Sequence, residues 1–225
     1  METNPKSRKY LSATTPNKAR LLAVLSIIGP IIFVMLTSVA MLLKRDADFA
    51  GRTISQLATG DYGWLETIAF VSVALTLLAF TMTLKKNHSP NPHLYKGLMM
   101  LNVVAICFVL MAAIPTEASH AIWTTKRVIH VIISSVAAIL FPLVCFFMSK
   151  AFSLDSRWKH LSGYTLISGL LCVTAGGGIL FMIIWWPMSG IQEYLLFLDA
   201  LIWIEVIAIR SFKLAGTISS DANSH

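Results

Sequence analysis

Charge is scarce in this chain. Asp, Glu, Lys and Arg make up 13% of its 225 residues, where a soluble domain carries about 25%. Hydrophobic residues make up 56%, and the mean hydropathy is +0.72. One domain of this length cannot bury that much apolar surface in its own core, so a lipid bilayer is the expected solvent. Cysteine is scarce too. Cys107, Cys145 and Cys172 each lie inside an apolar run, with no CxxC or CxxH spacing. That excludes a thiolate metal centre of the usual kind and fits small buried hydrophobes. No nucleophile elbow, phosphate-binding loop, dinucleotide fingerprint or HExxH motif occurs. The net charge of +7 comes with no basic face on a soluble module, which excludes a nucleic-acid partner. Internal repeats, low-complexity tracts and long linkers are absent as well.

What is present is long apolar runs. A helix needs about 20 apolar residues to cross the hydrocarbon core. Six segments qualify: 20–43, 63–84, 95–114, 127–149, 161–186 and 191–210. Unpaired backbone groups are costly in lipid, which forces these segments to be helical. The expected fold is all-α, a six-span transmembrane bundle over residues 20–210. A basic tail (1–19) precedes it and a polar tail (211–225) follows it, the last ten residues without structure. The first apolar run exceeds a signal-peptide core and lacks a small-residue cleavage site, so it reads as an uncleaved helix. Thirteen Lys and Arg flank one end of the spans and five flank the other. The richer side is expected to be cytoplasmic, which puts both termini there.

On the opposite side two segments carry nearly all the polar chemistry. One is 44-KRDADFAGRTISQLATGDYGWLE-66 and the other is 114-IPTEASHAIWTTKRVIH-130. Glu117, His120 and His130 are residue types that bind zinc, but their spacing matches no metal signature. Arg127 lies three positions before His130 and shares its helix face, which favours an anion over a metal there. Within the 44–66 segment Gly60-Asp61 signals a turn, and 53–66 reads as a lid or helix entry. In the last span Glu193 suits the helix start. Asp199 and Glu205 lie about 12 and 21 Å below the outer boundary at Ile191, where ionisable groups are functional candidates. Gly176–Gly178 lie at a depth similar to Asp199, and Ser134 is also in that half. Depth alone therefore suggests a pocket of Glu117, Arg127, His130 and Asp199, supported by Ser134, Gly177 and Glu205.

Four stretches carry a family resemblance: 54-ISQLATGDYGWLETIAF-70, 114-IPTE-117, a span opening at His130, and 190-GIQE-193. Together they resemble the six-helix bacterial membrane family catalogued as domain of unknown function 998, over roughly residues 20–210. The resemblance implies a multi-pass protein of the bacterial cytoplasmic membrane and no assigned reaction. Glu117 stands where the family often has Asp, which keeps the carboxylate. Lys126 stands where it often has a first His, which removes one ligand of a two-histidine site. The functional expectation is a non-enzymatic binder of a lipid headgroup or small polar solute in an extracytoplasmic pocket. Such a protein would act as a carrier, sensor or accessory subunit, with membrane lipids as partners and no cofactor. Two alternatives stand beside it. One is a membrane-embedded lipid hydrolase with His130 as base. The other is a structural subunit that packs through the glycines of the fifth span.

Overall fold

A computed structural model describes residues 16–44, 52–117, 124–185 and 189–222. Side chains are described for these except at 16, 17, 19, 177–185, 189 and 216–222. The described elements are all helical: α1 (Pro16–Leu43), α2 (Ile54–Leu57), α3 (Gly63–Asn87), α4 (Pro92–Ala113), α5 (Thr125–Ser153), α6 (Ser162–Trp185) and α7 (Ser189–Ala222). A 3-10 turn, Lys159–Leu161, leads into α6. The protein is a multi-pass, all-helical membrane protein.

The expected count of six spans is corrected by this structure. Among the described residues, four helices are long and apolar enough to cross a membrane: Arg20–Leu43, Gly63–Asn87, Pro92–Ala113 and Thr125–Ser153. The physical reason in α7 is charge. Glu193, Asp199, Glu205, Arg210 and Lys213 recur too closely to leave a long uncharged stretch. Helix α6 runs over 24 residues without a charge, and only its 162–176 side chains are among the described residues on which this count rests. The orientation deduced from six crossings loses that basis. The expected unstructured tail also differs, since α7 continues to Ala222.

Local chemistry sets the helix starts. The Asn91 side chain accepts the Leu94 N–H at 2.8 Å, with Pro92 in the first turn. Thr124 accepts the Arg127 N–H at 3.2 Å at the start of α5. Both are N-caps that satisfy a donor the helix cannot. Pro30 and Pro142 are accommodated inside α1 and α5.

The long helices pack in a ring. Each of α1, α3, α4, α5 and α6 touches the next, α7 packs on α6 and α1, and α7 also reaches α3 across the middle. Rings from four helices meet inside. Phe33 stacks on Phe70 and Phe197, and Phe108 contacts both of those, with centroids 5.2–6.4 Å apart. A second aromatic group has Trp203 between Phe80 and Phe141 at 5.5 and 5.7 Å. Aromatic pairs of this geometry add about 0.5–1.5 kcal/mol each beyond burial. The outer surface is apolar: Met35, Leu42, Leu75 and Met99 are all more than 60% exposed, as lipid-facing side chains are. At Gly29 a Cβ would overlap the Thr76 hydroxyl, so α1 and α3 approach closely there.

The end of the ring where α3 finishes is clasped by loops. The Asp155 carboxylate accepts the N–H groups of Ser89 and Arg157, each at 3.1 Å, and the Arg157 guanidinium at 2.9 Å. His88 is buried in a triangle of rings with Phe152 and Trp158, each 5.2 Å from it and 5.1 Å from one another, with Nδ1 3.4 Å from Asp155. Trp158 donates to the Asn87 carbonyl and Asn87 to that of Ser211, which ties both loops to α7.

Candidate functional site

At the other end of the ring the 53–59 segment folds inward. Thr53 and Gln56 form a capping box, with the Thr53 side chain accepting the Gln56 N–H and the Gln56 side chain accepting the Thr53 N–H. All four residues of α2 are buried. A turn this short does not hold itself in place. Charged side chains hold it at both ends. Glu193 of α7 accepts the Ile54 N–H at 2.8 Å and the Ser55 hydroxyl at 3.1 Å. Lys44 donates its ammonium to the carbonyls of Leu57, at 2.6 Å, and of Thr59. An anion at the N-terminus and a cation at the C-terminus both match the helix dipole. Gly60 closes the segment with φ +71°, a conformation that favours glycine. Burial lowers the Lys44 pKa, Arg52 lowers it further, and Glu66 works in the opposite direction.

Glu66 lies beside this segment, fully buried on α3. The Thr37 hydroxyl of α1 approaches both of its oxygens, at 3.0 and 3.2 Å. Glu66, Glu193 and Lys44 thus organise the polar end of the molecule. Reading the sequence alone treats 53–66 as a lid or helix entry and Glu193 as a helix-start residue, and it misses their convergence. The available signal was a hydroxyl- and carboxylate-bearing stretch, TISQ, between two spans.

A cavity of about 110 Å³ lies inside the ring beneath this end. Its walls come from Val73 and Leu77 of α3, Val104, Phe108 and Met111 of α4, Ala137, Ala138 and Phe141 of α5, and Leu196 to Ile204 of α7. Ser134, Ser135 and Glu193 are its polar lining residues. Along α7 it extends from Glu193 to Ile204, roughly 16 Å at the helical rise. An apolar cavity of about 150 Å³ takes a guest the size of benzene, so this space suits part of an alkyl or aromatic group.

The expected site residues fall into separate groups. Glu117 accepts the Thr124 hydroxyl at 3.2 Å, at the foot of the loop that holds His120. His120 itself lies outside the described residues. Arg127 is half-buried in the first turn of α5. His130 is buried, with Nδ1 2.7 Å from the Ile114 carbonyl, which makes Nδ1 the protonated nitrogen. Its Nε2 is buried with no hydrogen-bond partner among the described residues. Ser134 is one turn further along α5 and lines the cavity. Asp199 accepts the Ser168 hydroxyl at 2.8 Å and the Cys172 thiol at 3.0 Å. With Trp203 bonded to Thr165 at 3.1 Å, Asp199 ties α7 to α6, as intramembrane polar groups do between helices. One Glu205 oxygen is buried without a partner. The Gly177 position lies outside the described side chains. The structure thus joins Ser134 with Glu193 around one cavity and gives Asp199 and His130 different partners. Among the described residues, no three His, Cys, Asp or Glu side chains come together to hold a metal.

Comparison with known families matches residues 27–210 to the family described as "Protein of unknown function (DUF998)". The chain belongs to this family. The match covers α3 to α6 entirely and most of α1 and α7, and so includes the buried segment, its carboxylates and the cavity. No curated protein and no solved structure matches the chain.

Proposed function

We propose that this protein binds an amphiphile, with part of the apolar portion in the cavity and the polar portion at Ser134, Ser135 and Glu193. The observation that supports it is the cavity itself, an apolar space whose polar residues include one ionisable group. A headgroup alone, or a small polar solute, would leave those apolar walls unmatched. The polar mouth lies at the end of the bundle flanked, among the described residues, by Lys44, Arg52, Lys126 and Arg127. That end has the fewer cations, and we place it outside the cytoplasm. The protein then acts as a carrier, sensor or accessory subunit that takes its ligand from the membrane.

The test is occupancy. Protein extracted gently into lipid nanodiscs is photolabelled with an alkyl diazirine amphiphile, and labelled peptides are mapped. Label should concentrate on 134–141 and 196–204 and should fall several-fold in Ala137→Phe, which fills the space. Label spread evenly over the lipid-facing surface, unchanged in Ala137→Phe, would refute the reading.

A further inference from the structure

The cavity's polar end carries a definite charge preference. Its ionisable lining residue is the Glu193 carboxylate. Ser134 already donates its hydroxyl hydrogen to the Val131 carbonyl, so it offers a ligand its oxygen as an acceptor. The rings of Phe108, Phe141 and Phe197 line the wall, and aromatic faces are electron-rich. The Lys44 ammonium is engaged elsewhere, donating to the carbonyls at the end of α2. Glu66 adds a second carboxyl in the same end of the bundle, held by Thr37. An anionic headgroup would therefore meet a carboxylate with no Lys or Arg among the described lining residues to balance it. A cation would meet a carboxylate and aromatic rings, and both attract it.

Glu193 faces the buried segment and the cavity at once. Its oxygens accept the Ile54 N–H and the Ser55 hydroxyl, and the Ser55 N–H and the Thr53 side chain also interact with it, so a ligand cation would be attracted by its charge rather than by a free acceptor site.

We propose that the cavity selects hydrophobic cations, molecules with an apolar body and one positively charged terminus, and that Glu193 is the residue that recognises the charge. The inference rests on the amphiphile-binding reading and narrows its ligand class. Because Glu193 also anchors Ile54 and Ser55, the ligand and the buried segment share one carboxylate. Occupancy therefore reaches the 53–59 segment directly. Glu66 and Tyr194 are the ionisable groups that interact with that carboxylate, and Lys44 and Arg52 interact in turn with Glu66 and Tyr194.

The experiment uses full-length protein in zwitterionic nanodiscs and three labelled probes of equal chain length: decyltrimethylammonium, decanol and decanoate. Saturable binding is measured after subtracting uptake by empty nanodiscs. The ammonium should bind at least tenfold tighter than decanol, and decanoate should be weakest. Glu193→Gln should bring the ammonium down to the decanol level measured in the same variant. Glu193→Asp keeps the charge and should retain the preference, which guards against a folding defect in the amide variant. Equal binding of ammonium and decanol, tighter binding of decanoate, or a preference that survives Glu193→Gln would overturn the cation assignment. Saturable decanol binding that Ala137→Phe abolishes would leave the amphiphile reading standing in those cases. An absence of saturable binding by all three probes would overturn both.

Discussion

Replacing Asp155 with Ala tests how the loop clasp holds the bundle. The carboxylate is 4% exposed and accepts three groups, while its ion-pair partner Arg157 is 42% exposed. The two kinds of contact should differ in value. A hydrogen bond to an ionised group contributes about 1.5–3 kcal/mol, and Ser89 supplies a part-buried backbone donor of this kind. An ion pair whose cation is this exposed contributes about 0–1 kcal/mol. Asp155→Ala should therefore cost about 2–4 kcal/mol, and Arg157→Ala about 1 kcal/mol or less. For a chain of this size that is a drop in Tm of about 5–15 °C for the first and a few degrees at most for the second. Thermal unfolding in nanodiscs, followed by tryptophan fluorescence, reads both. Equal losses in the two variants would mean that the salt bridge, not the backbone donors, carries the clasp, and the reasoning would be wrong.

The same clasp sets a pH dependence with two windows. Burial raises the Asp155 pKa, but the Arg157 side chain, the Ser89 N–H and the Arg157 N–H outweigh it and hold the carboxyl well below the usual range. Its stabilisation is therefore complete above the unfolded value of about 3.9 and is lost as pH falls through the lower folded value. His88 acts higher. Burial lowers its pKa against the opposing pull of Asp155. The neutral ring's contribution is whole above about pH 6.5 and declines as pH falls from there toward the folded value.

Other expectations follow from single contacts. His88→Phe should flatten the decline in Tm just below about pH 6.5, and an unchanged slope would remove His88 as its source. Lys44→Met should free the C-terminal carbonyls of α2 and speed amide exchange over 53–59 more than elsewhere, read by mass spectrometry. Thr37→Val leaves Glu66 buried without that hydroxyl and should cost about 1–3 kcal/mol. Thr37→Ser should restore most of the loss, and equal effects from both would deny the bond its importance. Gly29→Leu should overpack the α1–α3 crossing at a cost of about 1–3 kcal/mol or more, seen as a lower Tm in nanodiscs.

The amino-acid sequence by itself determined the class of this protein. Apolar runs at 20–43, 63–84, 95–114 and 127–149 became α1, α3, α4 and α5, because helix is the form that satisfies the backbone in lipid. The runs at 161–186 and 191–210 also became helices, but neither counts as a span among the described residues, and in α7 charges interrupt the apolar length. The family was legible too, from short stretches around Ile54, Pro115 and Gly190. What tertiary structure decided was which polar groups meet. Asp199 and Glu205 stood out by depth, yet Asp199 is satisfied by Ser168 and Cys172 across one helix pair. Glu193 looked like an ordinary helix-start residue, yet it holds Ile54 and Ser55, 139 and 138 positions away in the chain. Depth along a helix follows from counting residues. The direction in which a side chain faces, and the partner it finds there, depend on how the ring of helices closes. That closure is set by Phe33, Phe70, Phe108 and Phe197 packing together from four helices, a contact that one-dimensional periodicity does not encode.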